Sequence, residues 1–277
     1  MNLGDAVEAI ARRVPRDDDT FVGDDGLLYC RRCNTHRQKR VTFPWGDRVV
    51  PVVCTCLAEK IEQEEKAQAE RDKAAAVRRY RSMGFPEREM ERFTFENDDG
   101  ASPAITKAMR AYVEQFDTFR KEGKGLLLYG NVGTGKTFHA GCVVNALIDR
   151  GIPCLMTSFS RLTNQINGMW EGKQAYIDSL SRFSLVAIDD LGVERDTEFM
   201  NESVTTIIDS LYRAKVPMII TSNFTPAQLT EDCEIRKRRV YDRMLERCHP
   251  IKVDGPSRRK EKGRGDYRNM NKLLGLE

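Results

Sequence analysis

The chain has 277 residues, of which 31% are charged and 40% hydrophobic, and its formal net charge is +3 at pH 7. No apolar run approaches the ~20 residues that cross a bilayer, the first residues lack an apolar secretory core, and so small a charge does not by itself mark a nucleic-acid binder. The length suits one full α/β domain plus something smaller, a cytoplasmic location is expected, and the eight cysteines read as thiols or metal ligands rather than disulfides.

Residues 1–20 hold a short amphipathic stretch and an acidic turn, Asp17-Asp18-Asp19, that point to no function. The next feature does. Cys30-x-x-Cys33 is followed by Cys54-x-Cys56, and two close pairs on tight turns suit a tetrahedral four-cysteine zinc site. An iron–sulfur cluster is the minor metal alternative. Between the pairs, residues 39–43 and 48–53 alternate like the strands of a hairpin, with Pro44 ending the first and Trp45-Gly46-Asp47 making the turn. That would bring four sulfurs together and let a metal replace a core that so short a segment cannot build. His36 is a substitute ligand in principle and a surface histidine by default. Arg31, Arg32, Arg37, Lys39 and Arg40 suit nucleic acid and a solvated surface about equally.

Residues 57–83 are rich in Ala, Glu, Lys, Gln and Arg without Gly or Pro, which predicts a long helix. Its apolar positions are sparse, so a solvated spacer with pairs such as Glu62–Lys66 is expected ahead of a coiled coil. Gly84-Phe85-Pro86 ends it, residues 94–102 read as loop, and residues 104–121 as a helix with Ile105, Met109, Tyr112, Val113 and Phe116 on one face.

The densest chemistry comes next. Leu126-Leu127-Leu128-Tyr129 has the length of a buried strand. It runs into Gly130-Asn131-Val132-Gly133-Thr134-Gly135-Lys136-Thr137, which fits the phosphate-loop pattern G-x-x-x-x-G-K-[ST] at every fixed position. Glycines let backbone N–H groups curl around a phosphate, and the helix that follows turns its positive end to the same anion. Lys136 would reach the β- and γ-phosphates of ATP, and the Thr137 hydroxyl would hold Mg²⁺.

Residues 151–157 read as a second strand, and 159–170 and 174–183 as helices. Leu185-Val186-Ala187-Ile188-Asp189-Asp190 is an apolar strand ending in two carboxylates. Asp189 would hold Mg²⁺ and Asp190 would orient or deprotonate the attacking water. Residues 201–213 form an amphipathic helix, and Met218-Ile219-Ile220-Thr221-Ser222-Asn223 a strand whose last residue is a candidate γ-phosphate sensor or a helix cap. In residues 236–245 the arginines fit a solvated face, a nucleic-acid patch or a finger for a neighbour's ATP. Ile251-Lys252-Val253 reads as a last strand, His249 as a surface residue, and the basic segment 258–268 as mobile.

These parts resemble DnaC-type helicase loaders and the related IstB-type transposition helper ATPases of the AAA+ superfamily. The likeness rests on GNVGTGKT at 130–137, LVAIDDLG at 185–192, TSN at 221–223 and RRVYDRM at 238–244. The four-cysteine module before a charged helix resembles phage- and prophage-type loaders. The resemblance implies an α/β AAA+ fold with a parallel central sheet flanked by helices, and a cytoplasmic ATPase that loads a replicative hexameric helicase onto single-stranded DNA as an ATP-bound homo-oligomer. An IstB-like transposition helper is the alternative. It implies Walker A roles for Lys136 and Thr137, Walker B for Asp189 and Asp190, sensor 1 for Asn223, an arginine finger at Arg239, and sensor 2 at Arg259 with Arg258 as fallback. Many AAA+ ATPases carry Glu where this chain has Asp190, so slow, switch-like hydrolysis is expected. Residues 158–173 match the segment that touches single-stranded DNA in the family. There Phe159 and Trp170 would stack on bases and Arg161 and Lys173 would meet phosphates, unless the aromatics are core and the cations wet surface. The organisation expected is a zinc module at 1–56, a helical linker at 57–92, the ATPase domain at 93–256 and a basic tail at 257–277.

Overall fold

The computed structural model describes residues 19–192, 198–231 and 235–276, so Asp17 and Asp18 lie outside the described residues. The chain divides into two compact units, Met1–Lys73 and Ala74–Glu277, and the division falls inside helix α1 (Thr55–Gly84).

The first unit holds two hairpins. Strands β1 (Thr20–Val22) and β2 (Leu28–Cys30) pair antiparallel, as do β3 (Gln38–Phe43) and β4 (Gly46–Pro51). Phe43 is opposite Gly46, so the turn is Pro44-Trp45, one residue earlier than the sequence places it. Cys30 ends β2, and Cys54 and Cys56 flank the start of α1. Helix α1 carries the Lys66–Glu62 pair at 2.5 Å and the Lys60–Glu64 pair at 3.8 Å, both exposed.

In the second unit, the end of α1 packs by Gly84 on the backbone of Cys154. The helix expected over 104–121 is broken. Helix α2 (Pro103–Glu114) and helix α3 (Phe116–Glu122) meet at Gln115, whose φ and ψ are −97° and 14°. The break lets Tyr112 and Phe119 stack at 4.9 Å while Phe116 meets Tyr112 edge-on at 6.0 Å. There follow β5 (Gly125–Tyr129), α4 (Lys136–Asp149), β6 (Cys154–Ser158), α5 (Phe159–Asn167), α6 (Lys173–Ser179), β7 (Leu185–Leu191), α7 (Glu198–Arg213), β8 (Met218–Ser222), α8 (Pro226–Glu231), α9 (Ile235–Arg247), β9 (Cys248–Lys252) and α10 (Arg258–Leu274). The segment expected to be a mobile basic tail is therefore helical over Arg258–Leu274, capped by the Ser257 hydroxyl and ended by Gly275 in a left-handed conformation.

The five strands of the second unit form one parallel sheet in the order β6-β7-β8-β5-β9. Helices cover both faces, so the inner strands β5, β7 and β8 carry near-continuous apolar runs. Alternate residues serve opposite layers: Leu127, Val186, Ile188 and Ile220 on one side, Leu126, Leu128, Ala187 and Ile219 on the other. This is the α/β architecture expected. The carboxyl ends of the neighbours β5, β8 and β7 face one crevice, where ligands bind in sheets of this kind. No helix among the described residues is long and apolar enough to cross a membrane.

Candidate nucleotide site and four-cysteine centre

The 130–137 loop joins β5 to α4. Gly130 has φ +144° and a Cβ there would lie 2.4 Å from the Val253 carbonyl oxygen, while Gly133 has φ +84° and a Cβ there would lie 2.3 Å from the Ser257 hydroxyl. At these two positions the loop thus lies against the stretch between β9 and α10, and only glycine fits there. The Arg258 backbone N–H donates to the Gly133 carbonyl at 2.9 Å.

Lys136 is buried. Its Nζ donates to the carbonyls of Gly130 (2.9 Å) and Asn131 (2.8 Å) and to Asn223 Oδ1 (2.8 Å). Asn223 follows β8, so sheet order alone carries it from 87 residues away. Burial pulls the Lys136 ammonium below the usual lysine range, against the pull of Asp190 and Asp189. A buried cation with three neutral acceptors, beside a glycine cradle, fits a polyphosphate.

Thr137 Oγ1 donates to both oxygens of Asp189, at 2.9 and 3.1 Å, and the Thr221 hydroxyl also donates to Asp189. Burial pushes the Asp189 carboxyl above the usual carboxylate range. A hydroxyl and a carboxylate so paired at a phosphate cradle are hard oxygen donors that suit Mg²⁺. Asp190 is exposed and has φ +61°. The strand carries one extra residue here, between the Ile188–Ile220 and Leu191–Ser222 pairs. Such a bulge re-aims side chains, and at it Asp189 is buried while Asp190 is exposed.

Arg258 is pinned: its guanidinium meets Asp99 at 3.2 Å and Ser102 Oγ at 3.4 Å and lies over the Phe138 ring. Arg259 is exposed and makes no hydrogen bond or ion pair among the described residues. Arg239 is exposed on α9, whereas Arg243 is tied to Asp209. The side chains of Arg236 and Lys237 lie outside the described residues. Trp170 is 99% exposed, but Phe159 is fully buried in the apolar layer that includes Leu162, Ile188 and Ile208. Of the two readings open for Phe159, stacking on bases or core, the second holds: the first residue of α5 points inward.

His139 was not singled out by the sequence, where it is one polar residue in an apolar helix. It is fully buried. Its Nδ1 donates to the Gly135 carbonyl at 2.8 Å, and Thr106 Oγ1 lies 3.3 Å from its Nε2. Thr106 also donates to Asp98. This ring braces the last glycine of the loop, and burial lowers its pKa, keeping the imidazole neutral.

In the first unit the sulfurs of Cys30, Cys33, Cys54 and Cys56 all lie within 4.8 Å of one another, with Cys30–Cys56 at 3.6 Å and Cys54–Cys56 at 3.5 Å. A tetrahedral ion with Zn–S of about 2.3 Å sets its sulfurs about 3.8 Å apart, so the four fit zinc. The Thr35 and Thr55 hydroxyls draw the Cys33 thiol down to about 4, while the neighbouring Cys33 sulfur pushes Cys56 up to about 12. Four crowded thiols do not all ionise without a cation among them. His36 is not in the cluster; its Nε2 lies 2.7 Å from the Tyr29 hydroxyl.

Compared with known protein families, residues 53–265 match that of the IstB-like ATP binding proteins. The chain belongs to this family. The replicative helicase loader DnaI of Bacillus subtilis is 25% identical over 180 residues, covering 60% of this chain and 58% of the loader. An ATP-binding protein of an insertion sequence in Mycobacterium tuberculosis is 27% identical over 203 residues, covering 71% and 78%. A crystal structure of DnaI superposes with a TM-score of 0.53 at 25% identity, covering 65% of this chain and 99% of that one. This IstB-like chain thus has an AAA+ ATPase fold and spans less than two thirds of the length of the loader it matches.

Proposed function

We propose that this IstB-like protein is an ATP-dependent loader of a replicative DNA helicase, working as a nucleotide-switched oligomer on single-stranded DNA. The observation that carries the reading is the 2.8 Å bond from Lys136 Nζ to Asn223 Oδ1. It ties the phosphate loop to the end of β8, so a polyphosphate that claims the lysine must also release the asparagine. Occupancy then becomes a rearrangement of the sheet's carboxyl edge. The likeness to loaders supports the choice of partner.

In this reading residues 130–137 cradle the phosphates of ATP, and Lys136 neutralises the β- and γ-oxygens. Thr137 and Asp189 would hold Mg²⁺, which would supply charge neutralisation to the bound phosphates. Asp190 orients water, Asn223 senses the γ-phosphate, and Arg259 contacts it while Arg258 stays on Asp99. The exposed Arg239 completes the site of a neighbouring subunit. Trp170, Arg161 and Lys173 meet single-stranded DNA. The cysteine unit, folded on Zn²⁺, grips the helicase. The short Asp190 side chain suits slow hydrolysis, regulated by partner or DNA.

A second reading, an IstB-like helper of transposition, is favoured by the insertion-sequence relative, whose match covers more of this chain than that of the loader. Affinity capture with ATP separates the two: a hexameric helicase supports the first, a transposase the second. Arg239→Ala is expected to lower kcat by roughly a thousandfold while ATP still binds; an unchanged kcat would remove Arg239 from the finger role. Lys136→Ala with unchanged hydrolysis would end the ATPase reading.

A further inference from the structure

The β3–β4 hairpin presents a face that neither the nucleotide site nor the cysteine centre uses. In a paired hairpin, cross-strand partners share a face and alternate residues switch it. The register puts Lys39 opposite Val50, Val41 opposite Arg48 and Phe43 opposite Gly46 on one face. Arg40, Thr42, Asp47 and Val49 take the other. The first face ends in a ring stack: Phe43 and Trp45 have centroids 5.2 Å apart and an interplanar angle of 12°. Trp45 is 72% exposed. Lys39 and Arg48 are exposed and make no ion pair among the described residues, and no carboxylate shares their face.

We propose that this hairpin face binds single-stranded nucleic acid, stacking a base on Trp45 and pairing Lys39 and Arg48 with phosphates. Three features select that ligand. The exposed ring is backed by a second ring, so it forms a rigid platform for a flat base. The two cations follow the platform along the same face, Arg48 nearer and Lys39 farther from the turn, without an acid to neutralise them, which favours a polyanion. The two-residue turn and the six-residue ladder hold the platform in place. A duplex offers no unstacked base to Trp45, so the single strand is preferred. The site is separate from the Trp170 contact of the proposed function and needs no ATP hydrolysis.

The chain has two tryptophans, Trp45 and Trp170, and that makes the test direct. In full-length Trp170→Phe protein all tryptophan emission comes from Trp45. Titration with oligothymidylate should quench it saturably. Trp45→Ala should weaken binding, followed by anisotropy of a labelled oligothymidylate, by about fivefold or more; Trp45→Phe, which keeps a ring, should retain most of it. Replacing both Lys39 and Arg48 with Gln should reduce the slope of log K against log salt by about 1.4. Metal content is measured on each variant. If Trp45→Ala loses metal, the quench and Trp45→Phe decide the question. Oligothymidylate that binds without touching Trp45 emission, or an unchanged salt slope in the double variant, would overturn the proposal. In the first case the Trp45→Phe protein, with Trp170 as its sole reporter, shows whether the ATPase unit carries the binding alone. A hairpin that captures a protein partner yet ignores the oligonucleotide also counts against it.

Discussion

The two units are held by different physics. In residues 74–277 a five-stranded sheet buries apolar side chains on both faces, from Leu127 and Ile188 to Leu128 and Ile219. Each full burial contributes about 1.5–3 kcal/mol. In the described part of residues 1–73, only Cys30, Cys54 and Arg37 are buried, and the Arg37 Nε and Nη1 have no hydrogen-bond partner. So small a core does not offset the entropy of ordering the chain. One unit therefore owes its stability to its own side chains, while the other has little core and four sulfurs placed close enough to share an ion.

Metal removal should widen that contrast most. Chelation, or Cys30→Ser, is expected to unfold residues 20–54 while leaving the melting transition of the second unit in place, since structural zinc contributes about 10–16 kcal/mol in small peptides. Hydrogen exchange and calorimetry on the same samples check it, and simultaneous melting of both units would break the distinction. The reverse experiment is Phe116→Ala. It should cost the second unit about 3–5 kcal/mol, seen as a lower denaturant midpoint, with the metal content unchanged at about one ion per chain.

Acid provides a finer cut. Burial holds the folded pKa of His139 below its unfolded value of 6.5. Between those two values the unfolded chain binds more protons, so stability is present above pH 6.5 and falls as pH drops below it. The loss should appear in the second unit, and His139→Gln should flatten it in denaturant titrations run below pH 6.5. The smallest expected effect is Lys66→Ala on the exposed face of α1: about 0.5 kcal/mol or less by thermal melting, because water screens the Glu62 pair.

The sheet was legible because its strands are short apolar runs bounded by glycines or polar residues, as in 125–129 and 185–191. The β1–β2 hairpin was not, because its strands have three residues each and three residues show no period. Helix α10 was missed because Gly263, Gly265 and a run of charge mimic a tail, while the cap that starts it, Ser257, is one common residue. In the site, the spacing of Gly130, Lys136 and Thr137 displays its chemistry directly. The bracing ring of His139 depends on Thr106 and Asp98 meeting it across the fold, and no local pattern encodes that. Phe159 was left between base stacking and core for the same reason: an aromatic after a strand does not announce which way it points.

The left-handed backbone at Asp190 bears on which acid this position accepts. Among residues with a side chain, Asp and Asn tolerate that conformation best, because a short polar group can bond to nearby backbone. Glu lacks that short-range partner and meets a steeper penalty. The identity of the exposed acid is thus written into the path of the main chain. Lengthening this one side chain to Glu would work against the bend beneath it. The strand end would have to be redrawn, starting with the extra residue between Ile188 and Leu191.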